Sequence, residues 1–258
     1  FHHRQKADSP SGTALSIGKI LLKTISRKKE IFADTAHEKI APENLGVKTV
    51  AKSVLVRDVK SGVVLFQAGA NETVPMASIT KLMSALVLTE LPSWNPEEQM
   101  TVKKEDVREG GKWFLRFGDI VTKQDALGVM LVASGNNETL ALVRTSGLSS
   151  SLFVELMNKK ALSLQMTQTH FEDPVGLSMN NVSTAEDLPL LLAAALDSPV
   201  ISSWISKPNV SVISASGNTY TLPSTDILLG SFLNTPPFRI VGGKTGSLEG
   251  RFSLMMRV

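Results

Sequence analysis

Residues 75–90 read Pro75-Met-Ala-Ser78-Ile-Thr-Lys81-Leu-Met-Ser-Ala-Leu-Val-Leu-Thr-Glu90. Apolar residues at 79, 82, 83, 86 and 87 recur at helical spacing, so the stretch predicts a helix with Ser78 at or near its N-terminus. Upstream, 53–58 and 63–67 alternate and are β-branched, and Lys60-Ser61-Gly62 between them reads as the turn of a hairpin. Downstream, 91–122 reads as loops and short extended pieces. Helical patterns follow at 124–133, 137–145, 151–164 and 185–196. Strand character returns at 210–213, 219–222, 238–241 and 251–258. Strands, then a block of helices, then strands predict an α+β fold, with one antiparallel sheet closed from both chain ends and the helical block inserted between. On this reading 1–46 is an N-terminal arm with one helical stretch near 13–32. Residues 47–258 are the main domain, its sheet part 47–77 and 205–258 and its helical part 78–204.

The bulk composition narrows the chemistry. The chain has 258 residues, 42% of them hydrophobic and 20% charged, enough to bury a core without staples. It has no cysteine, which excludes disulfides, zinc–thiolate sites and thiol nucleophiles. The net charge is only +3, and no basic run is interleaved with aromatics, so no nucleic-acid partner is expected. The four histidines, His2, His3, His37 and His170, show no metal-ligand spacing. No apolar run reaches the roughly 18 residues of a membrane span. Any membrane association is expected through segments outside this chain.

Three short motifs fall in order: Ser78-Ile-Thr-Lys81, Ser134-Gly135-Asn136 and Lys244-Thr245-Gly246. Each alone is weak. Ser-x-x-Lys also occurs at Ser16–Lys19 and Ser26–Lys29, and Ser-Gly-Asn is common in ordinary turns. What sets Ser78 apart is the helix that follows it and the two motifs downstream. On a helix, residues three apart share a face, so the Lys81 amine can reach the Ser78 hydroxyl. A serine hydroxyl is a weak nucleophile until a base takes its proton. A lysine serves as that base only when neutral, which burial or a nearby cation promotes. A helix N-terminus favours a developing alkoxide and leaves N–H groups free, so the Ser78 N–H is a candidate oxyanion donor. Ser134 is placed to relay a proton to a leaving amine. The Asn136 amide can hydrogen-bond both Lys81 and a substrate amide. Lys244 supplies a second cation and, with Thr245, a site for a substrate carboxylate. Gly243 and Gly246 allow close backbone approach.

The trio is the pattern shared by penicillin-binding proteins and serine β-lactamases. The segments Pro75–Met83, Leu131-Val-Ala-Ser-Gly-Asn-Asn137, Phe153–Asn158, Thr167-Gln-Thr-His-Phe-Glu-Asp-Pro-Val-Gly-Leu177, Ser183–Asp187 and Val241–Gly246 extend the likeness. Over roughly 50–258 the chain resembles the low-molecular-mass penicillin-binding proteins, the serine-type D-alanyl-D-alanine carboxypeptidases. The resemblance implies a β-lactamase/transpeptidase-like fold. It implies that Ser78 forms an acyl-enzyme with Lys81 as general base, and that Ser134 and Asn136 shuttle protons and hold substrate, with Gly135 shaping their loop. It also implies that Lys244, Thr245 and Gly246 line the carboxylate site, and that the Ser247 N–H is the second oxyanion donor. The substrates implied are peptidoglycan stem peptides and β-lactams, outside the cytoplasmic membrane, with no metal or organic cofactor. A D,D-endopeptidase shares this machinery. A serine β-lactamase of the type that deacylates through a glutamate would need a Glu-x-x-Leu-Asn segment, and Glu172 and Glu186 do not supply one. A silent peptidoglycan-binding module is the non-enzymatic alternative. Two departures stand out: Ser247-Leu248 where the family has a larger residue and then Thr, and an end twelve residues after Gly246, where the family continues with a further strand and helix. The expectation is therefore of a truncated C-terminal end and reduced stability.

Overall fold

In a computed structural model, the described residues are 51–107, 113–231 and 234–258. The expected N-terminal arm, 1–46, lies outside them. The chain groups into two compact units, one ending at Glu72 and one running from Thr73 to Val258.

The described part of the first unit is a hairpin of β1, Val54–Arg57, and β2, Val64–Ala68. Asp58 builds its turn, Oδ1 accepting from the Lys60 and Ser61 N–H groups and the Ser61 hydroxyl. Val54 and Phe66 form a small buried cluster of their own.

The second unit is organised around one buried helix. Strand β3, Val74–Pro75, leads through a 3₁₀ turn at Ala77–Ile79 into α1, Thr80–Glu90. Leu, Met and Ala favour the helix, and no Gly or Pro interrupts it. The periodicity suggested one apolar face, but every residue of α1 from Thr80 to Leu88 is buried. Such a helix lies at the centre of a core. Burying each of Leu82, Met83, Leu86 and Leu88 contributes roughly 1.5–3 kcal/mol. Its polar residues are met by distant chain: the Ser84 hydroxyl donates to the Pro174 carbonyl at 2.6 Å.

Strands β4, Gln99–Thr101, and β5, Ile120–Thr122, pair antiparallel and feed α2, Lys123–Gly128, which the Thr122 hydroxyl caps at the Asp125 N–H. Residues 129–133 continue α2 as a buried π-turn, and then comes α3, Asn136–Thr145. Near the far end of α3, Arg144 grips the buried Asp106 carboxylate through Nε at 2.8 Å and Nη2 at 2.9 Å. Helix α4 spans Ser150–Ser163, β6 Val182–Ser183, α5 Leu188–Asp197 and α6 Pro199–Ser202. Helices α3 to α6 all contact α1.

Hairpin β7–β8, Asn209–Ile213 with Thr219–Pro223, turns Val210 and Val212 into the core. Hairpin β9–β10, Gly242–Leu248 with Arg251–Arg257, closes on Glu249-Gly250, both at positive φ. The α+β character and the strand–helix–strand order expected from the sequence hold. The ladders differ in detail from the single sheet pictured: among the described residues each holds two strands. A second correction concerns the third motif. The strand expected at 238–241 lies instead at 242–248, so Lys244-Thr245-Gly246 sits inside a strand rather than after one. Gly243 and Gly246, which read as allowing close backbone approach, are ladder positions paired with Met256 and Ser253 of β10. A Cβ on Gly243 would lie 2.7 Å from the Met255 carbonyl oxygen.

Tyr220 joins the β7–β8 hairpin to the segment before β5. Its hydroxyl donates to Asp119 Oδ2, while the Asn218 amide and Ser216 hydroxyl donate to Oδ1. Burial pushes the Asp119 carboxyl up. The donors Tyr220, Asn218, Arg116 N–H and Ser214 outweigh it, so the group lies below its ordinary range. A carboxyl lowered on folding stabilises the fold above its unfolded value, and that stability is lost as pH falls through the folded one. Tyr220→Phe removes one donor. We expect a loss of about 1–2 kcal/mol near neutrality and an acid-unfolding midpoint displaced to higher pH, both measured by circular dichroism melts over a pH series. An unchanged acid midpoint would count against this account.

Candidate active site

The turn that carries Ser78 is fixed from below. Met76 is buried, its N–H donates to the Asn181 carbonyl at 3.0 Å, and β3 pairs with β6. Ala77 takes positive φ, 49°, and presents Ser78 at the mouth of α1, half-buried while its neighbours are fully covered. Ser78 therefore precedes the α-helix proper, in the 3₁₀ turn. The Ser78–Lys81 spacing still brings the two together: Lys81 Nζ lies 2.9 Å from Ser78 Oγ.

Lys81 is 0% exposed, and a second contact aims it. Nζ donates to the Val175 carbonyl at 2.7 Å. That carbonyl belongs to a loop moulded by two side chains. Asp173 Oδ1 accepts from the Val175 and Gly176 N–H groups at 2.7 and 2.6 Å, and Oδ2 from Ser178 at 2.6 Å. Asn181 accepts from the Glu172 and Asp173 N–H groups and donates to Thr80 Oγ1 at 3.1 Å. Gly176, at φ +88°, passes directly against the Ala77 backbone.

The π-turn sets the second motif. It ends on Ser134 in the left-handed region, φ 64°, and Gly135 then turns the chain into α3. Ser134 is buried and accepts from Lys244 Nζ at 3.0 Å. Asn136, also buried, is the first residue of α3. Lys244 is 2% exposed and also donates to the Thr245 carbonyl at 2.8 Å. Gly246 packs on the Ser78 turn: a Cβ there would lie 2.6 Å from the Met76 carbonyl oxygen and 3.1 Å from the Ser78 nitrogen. Ser247, the next residue along β9, is exposed.

The structure thus links Ser78 to Lys81, Ser134 to Lys244, and Gly246 to the Ser78 turn. Sequence reasoning missed four contributors. The Val175 carbonyl has no side-chain signature. Thr225 shares a 2.6 Å hydrogen bond with Thr245 through their hydroxyls, and its N–H donates to the Val132 carbonyl, so it joins the third motif to the π-turn that leads into the second. Asp226 is buried beside them; burial pushes its carboxyl up and Lys244 pulls it partly back. Glu138 is the fourth: buried on the first turn of α3, its Oε1 accepts from the Phe114 and Leu115 N–H groups and its Oε2 lies against Gly135. Glu172 is tied to the Ser178 hydroxyl and the Asn180 amide. His170 contributes its backbone to a bridge with Val182. A groove of about 760 Å³ is lined by α4 and residues 170–178, and none of the motif residues lines it. Among the described residues no cluster of three or more His, Asp or Glu is placed to hold a metal ion. No single described helix is long and apolar enough to cross a membrane.

A hydroxyl with a buried amine at hydrogen-bond distance, and a second hydroxyl–amine pair beside it, is the equipment of a serine acyl-transfer site. Residues 37–254 match the peptidase family S11, described as D-alanyl-D-alanine carboxypeptidase. The chain is similar to a D-alanyl-D-alanine endopeptidase of Pseudomonas aeruginosa, 34% identical over 210 residues, 80% of this chain and 66% of that protein. It is 32% identical over 173 residues to the D-alanyl-D-alanine endopeptidase of Escherichia coli, 66% of this chain and 55% of that protein. It therefore spans less than two thirds of either relative's length. Among solved structures it resembles a D-alanyl-D-alanine carboxypeptidase from Mycobacterium tuberculosis, with a TM-score of 0.69, 28% identity, and coverage of 79% of this chain and 76% of that one.

Proposed function

Since the chain belongs to the D-alanyl-D-alanine carboxypeptidase family, we propose that it is a serine D,D-carboxypeptidase that removes the terminal D-Ala of peptidoglycan stem peptides through an acyl-enzyme on Ser78. The observation that carries the proposal is the 2.9 Å contact between Ser78 Oγ and the Nζ of a fully buried Lys81.

Lys81, in its neutral form, takes the Ser78 proton as Oγ attacks the carbonyl of the penultimate D-Ala. The oxyanion that forms is met by the Ser78 and Ser247 N–H groups. Ser134, backed by Lys244, passes a proton to the departing D-Ala amine. Lys244 and Thr245 hold the terminal carboxylate, and Thr225 positions the Thr245 hydroxyl. Asn136 holds the substrate amide. Water then attacks the ester and releases Ser78. A β-lactam enters the same path: Oγ opens the ring, and the leaving nitrogen stays tethered in a penicilloyl ester. This chemistry belongs outside the cytoplasmic membrane, where stem peptides are found.

The test is intact-protein mass after incubation with benzylpenicillin. We expect a penicilloyl adduct on the parent and none on Ser78→Ala. An adduct that survives in Ser78→Ala, or its absence from both, would sink the proposal. The endopeptidase names of the two relatives favour a second reading, cleavage of cross-linked peptides. Release of free D-Ala from a pentapeptide, measured beside cleavage of a cross-linked muropeptide dimer, separates the two.

A further inference from the structure

The Thr225 and Thr245 hydroxyls lie 2.6 Å apart, and either oxygen can be the donor. Both residues are half-buried, and they stand on separate pieces of chain. Thr245 is inside β9, and Thr225 lies between β8 and a 3₁₀ turn at Ile227–Gly230. The backbone around Thr225 is pinned on each side. Its own N–H donates to the Val132 carbonyl at 3.1 Å, and the Ser224 N–H to the Pro208 carbonyl at 2.8 Å. Ser224 Oγ accepts from the Asp226 N–H at 3.1 Å, and Asp226 Oδ1 from the Leu228 N–H at 3.0 Å. Val132 belongs to the π-turn that delivers Ser134. Thr225 thus ties the Thr245 hydroxyl to the frame that carries the Ser134 hydroxyl.

A threonine hydroxyl has one proton and two lone pairs. With nothing bound, the proton between the two oxygens can come from either. A carboxylate only accepts, so a carboxylate at Thr245 takes that hydroxyl's single proton. The bond to Thr225 then survives only with Thr225 as its donor. We infer that Thr225 is a positioning residue that turns the Thr245 proton toward substrate and so sets the preference for a leaving group with a free carboxylate, an inference that rests on the acyl-enzyme reading above. The ordered chain runs from the Thr225 hydroxyl to the Thr245 hydroxyl to the carboxylate, and each bond polarises the next. Its last bond ends on an ionised acceptor, which makes it roughly twice as strong as one to a neutral ester oxygen. Lys244 adds charge at the same place, but its Nζ is shared with Ser134 and the Thr245 carbonyl. Direction at the carboxylate therefore falls to Thr245, and through it to Thr225.

The probes are two N-acyl-D-alanyl thioesters, one with a thioglycolate leaving group and the other with its methyl ester. Thiol release gives kcat and KM for each. We expect the parent to prefer the carboxylate. Thr225→Val keeps the shape and removes the hydroxyl, and we expect it to lose about tenfold of that preference, mainly through KM. Thr225→Ala, which removes the hydroxyl with less bulk, gives the same ratio. Thr225→Ser, which keeps the hydroxyl, returns it toward the parental value. A folded Thr225→Val or Thr225→Ala with the parental ratio overturns the inference. So does an equal loss on both thioesters, which would make Thr225 a strut between β9 and the π-turn. A parent that turns over both thioesters without distinguishing them overturns it too, and leaves the role of Ser78 standing. A parent that forms no acyl-enzyme with either thioester or with benzylpenicillin takes down the acyl-enzyme reading, and this inference with it.

Discussion

Lys81→Met is expected to fold and to lose acylation by about a thousandfold or more, the scale set by removing a general base from a serine nucleophile. Methionine has nearly the same length and shape and suits a position with no exposure, among Leu82, Met83 and the rest of the α1 core. The cost to the fold is the Val175 carbonyl, left without its 2.7 Å donor, on the order of 1–3 kcal/mol. Relief from burying an amine offsets part of that. Ser78 keeps its place, since its turn is held by Met76, Asn181 and the β3–β6 pair rather than by Lys81. The measurement is the rate of penicilloyl-adduct formation, with a melting curve to confirm folding. A folded Lys81→Met that acylates within tenfold of the parent (about 1.4 kcal/mol) would remove Lys81 from the role of base.

Gly176→Ala carries the second large effect, through the backbone. Gly176 has φ +88°, and a Cβ would stand 2.0 Å from the Ala77 carbonyl oxygen and 2.4 Å from its carbon. Neither obstacle is a side-chain end that can swing away. Relief requires the 173–178 loop or the Ala77 turn to move, and these carry the Val175 carbonyl and Ser78. We expect a loss of about 3 kcal/mol or more together with strongly reduced acylation. Gly147→Ala is the internal control. Its φ is +80°, but a Cβ there meets nothing within 4 Å, so the conformational term of about 1–2 kcal/mol stands alone. Equal melting losses in the two variants would show that the contact with Ala77 is not the cause.

The motifs were legible because local chemistry fixes them: a serine and a lysine three residues apart at the head of an apolar helix, and short Ser-Gly-Asn and Lys-Thr-Gly runs. Helix positions were read to within a few residues, since apolar periodicity survives without tertiary information. The unread features depend on chain far away in sequence. The π-turn at 129–133 has the same apolar run as a regular helix, yet it alone delivers Ser134 into the left-handed region. The third motif reads as following a strand at 238–241, and only its pairing with β10 puts it inside one. Thr225 and Glu138 look like ordinary loop and helix residues, because what places them beside the motifs is a partner 20 or more positions distant.

One arm of Lys81's support is a main-chain carbonyl. An oxygen of that kind is present whatever side chain residue 175 carries, so this half of the anchoring of Lys81 has no residue whose substitution deletes it outright. Sensitivity to mutation is displaced instead onto Asp173 and Asn181, whose side chains hold the loop in shape and touch neither Ser78 nor Lys81 in the contacts described above. Residue 175 is held to an apolar side chain by its burial rather than by this contact, and a search by side-chain chemistry alone passes over the place where Lys81 is held.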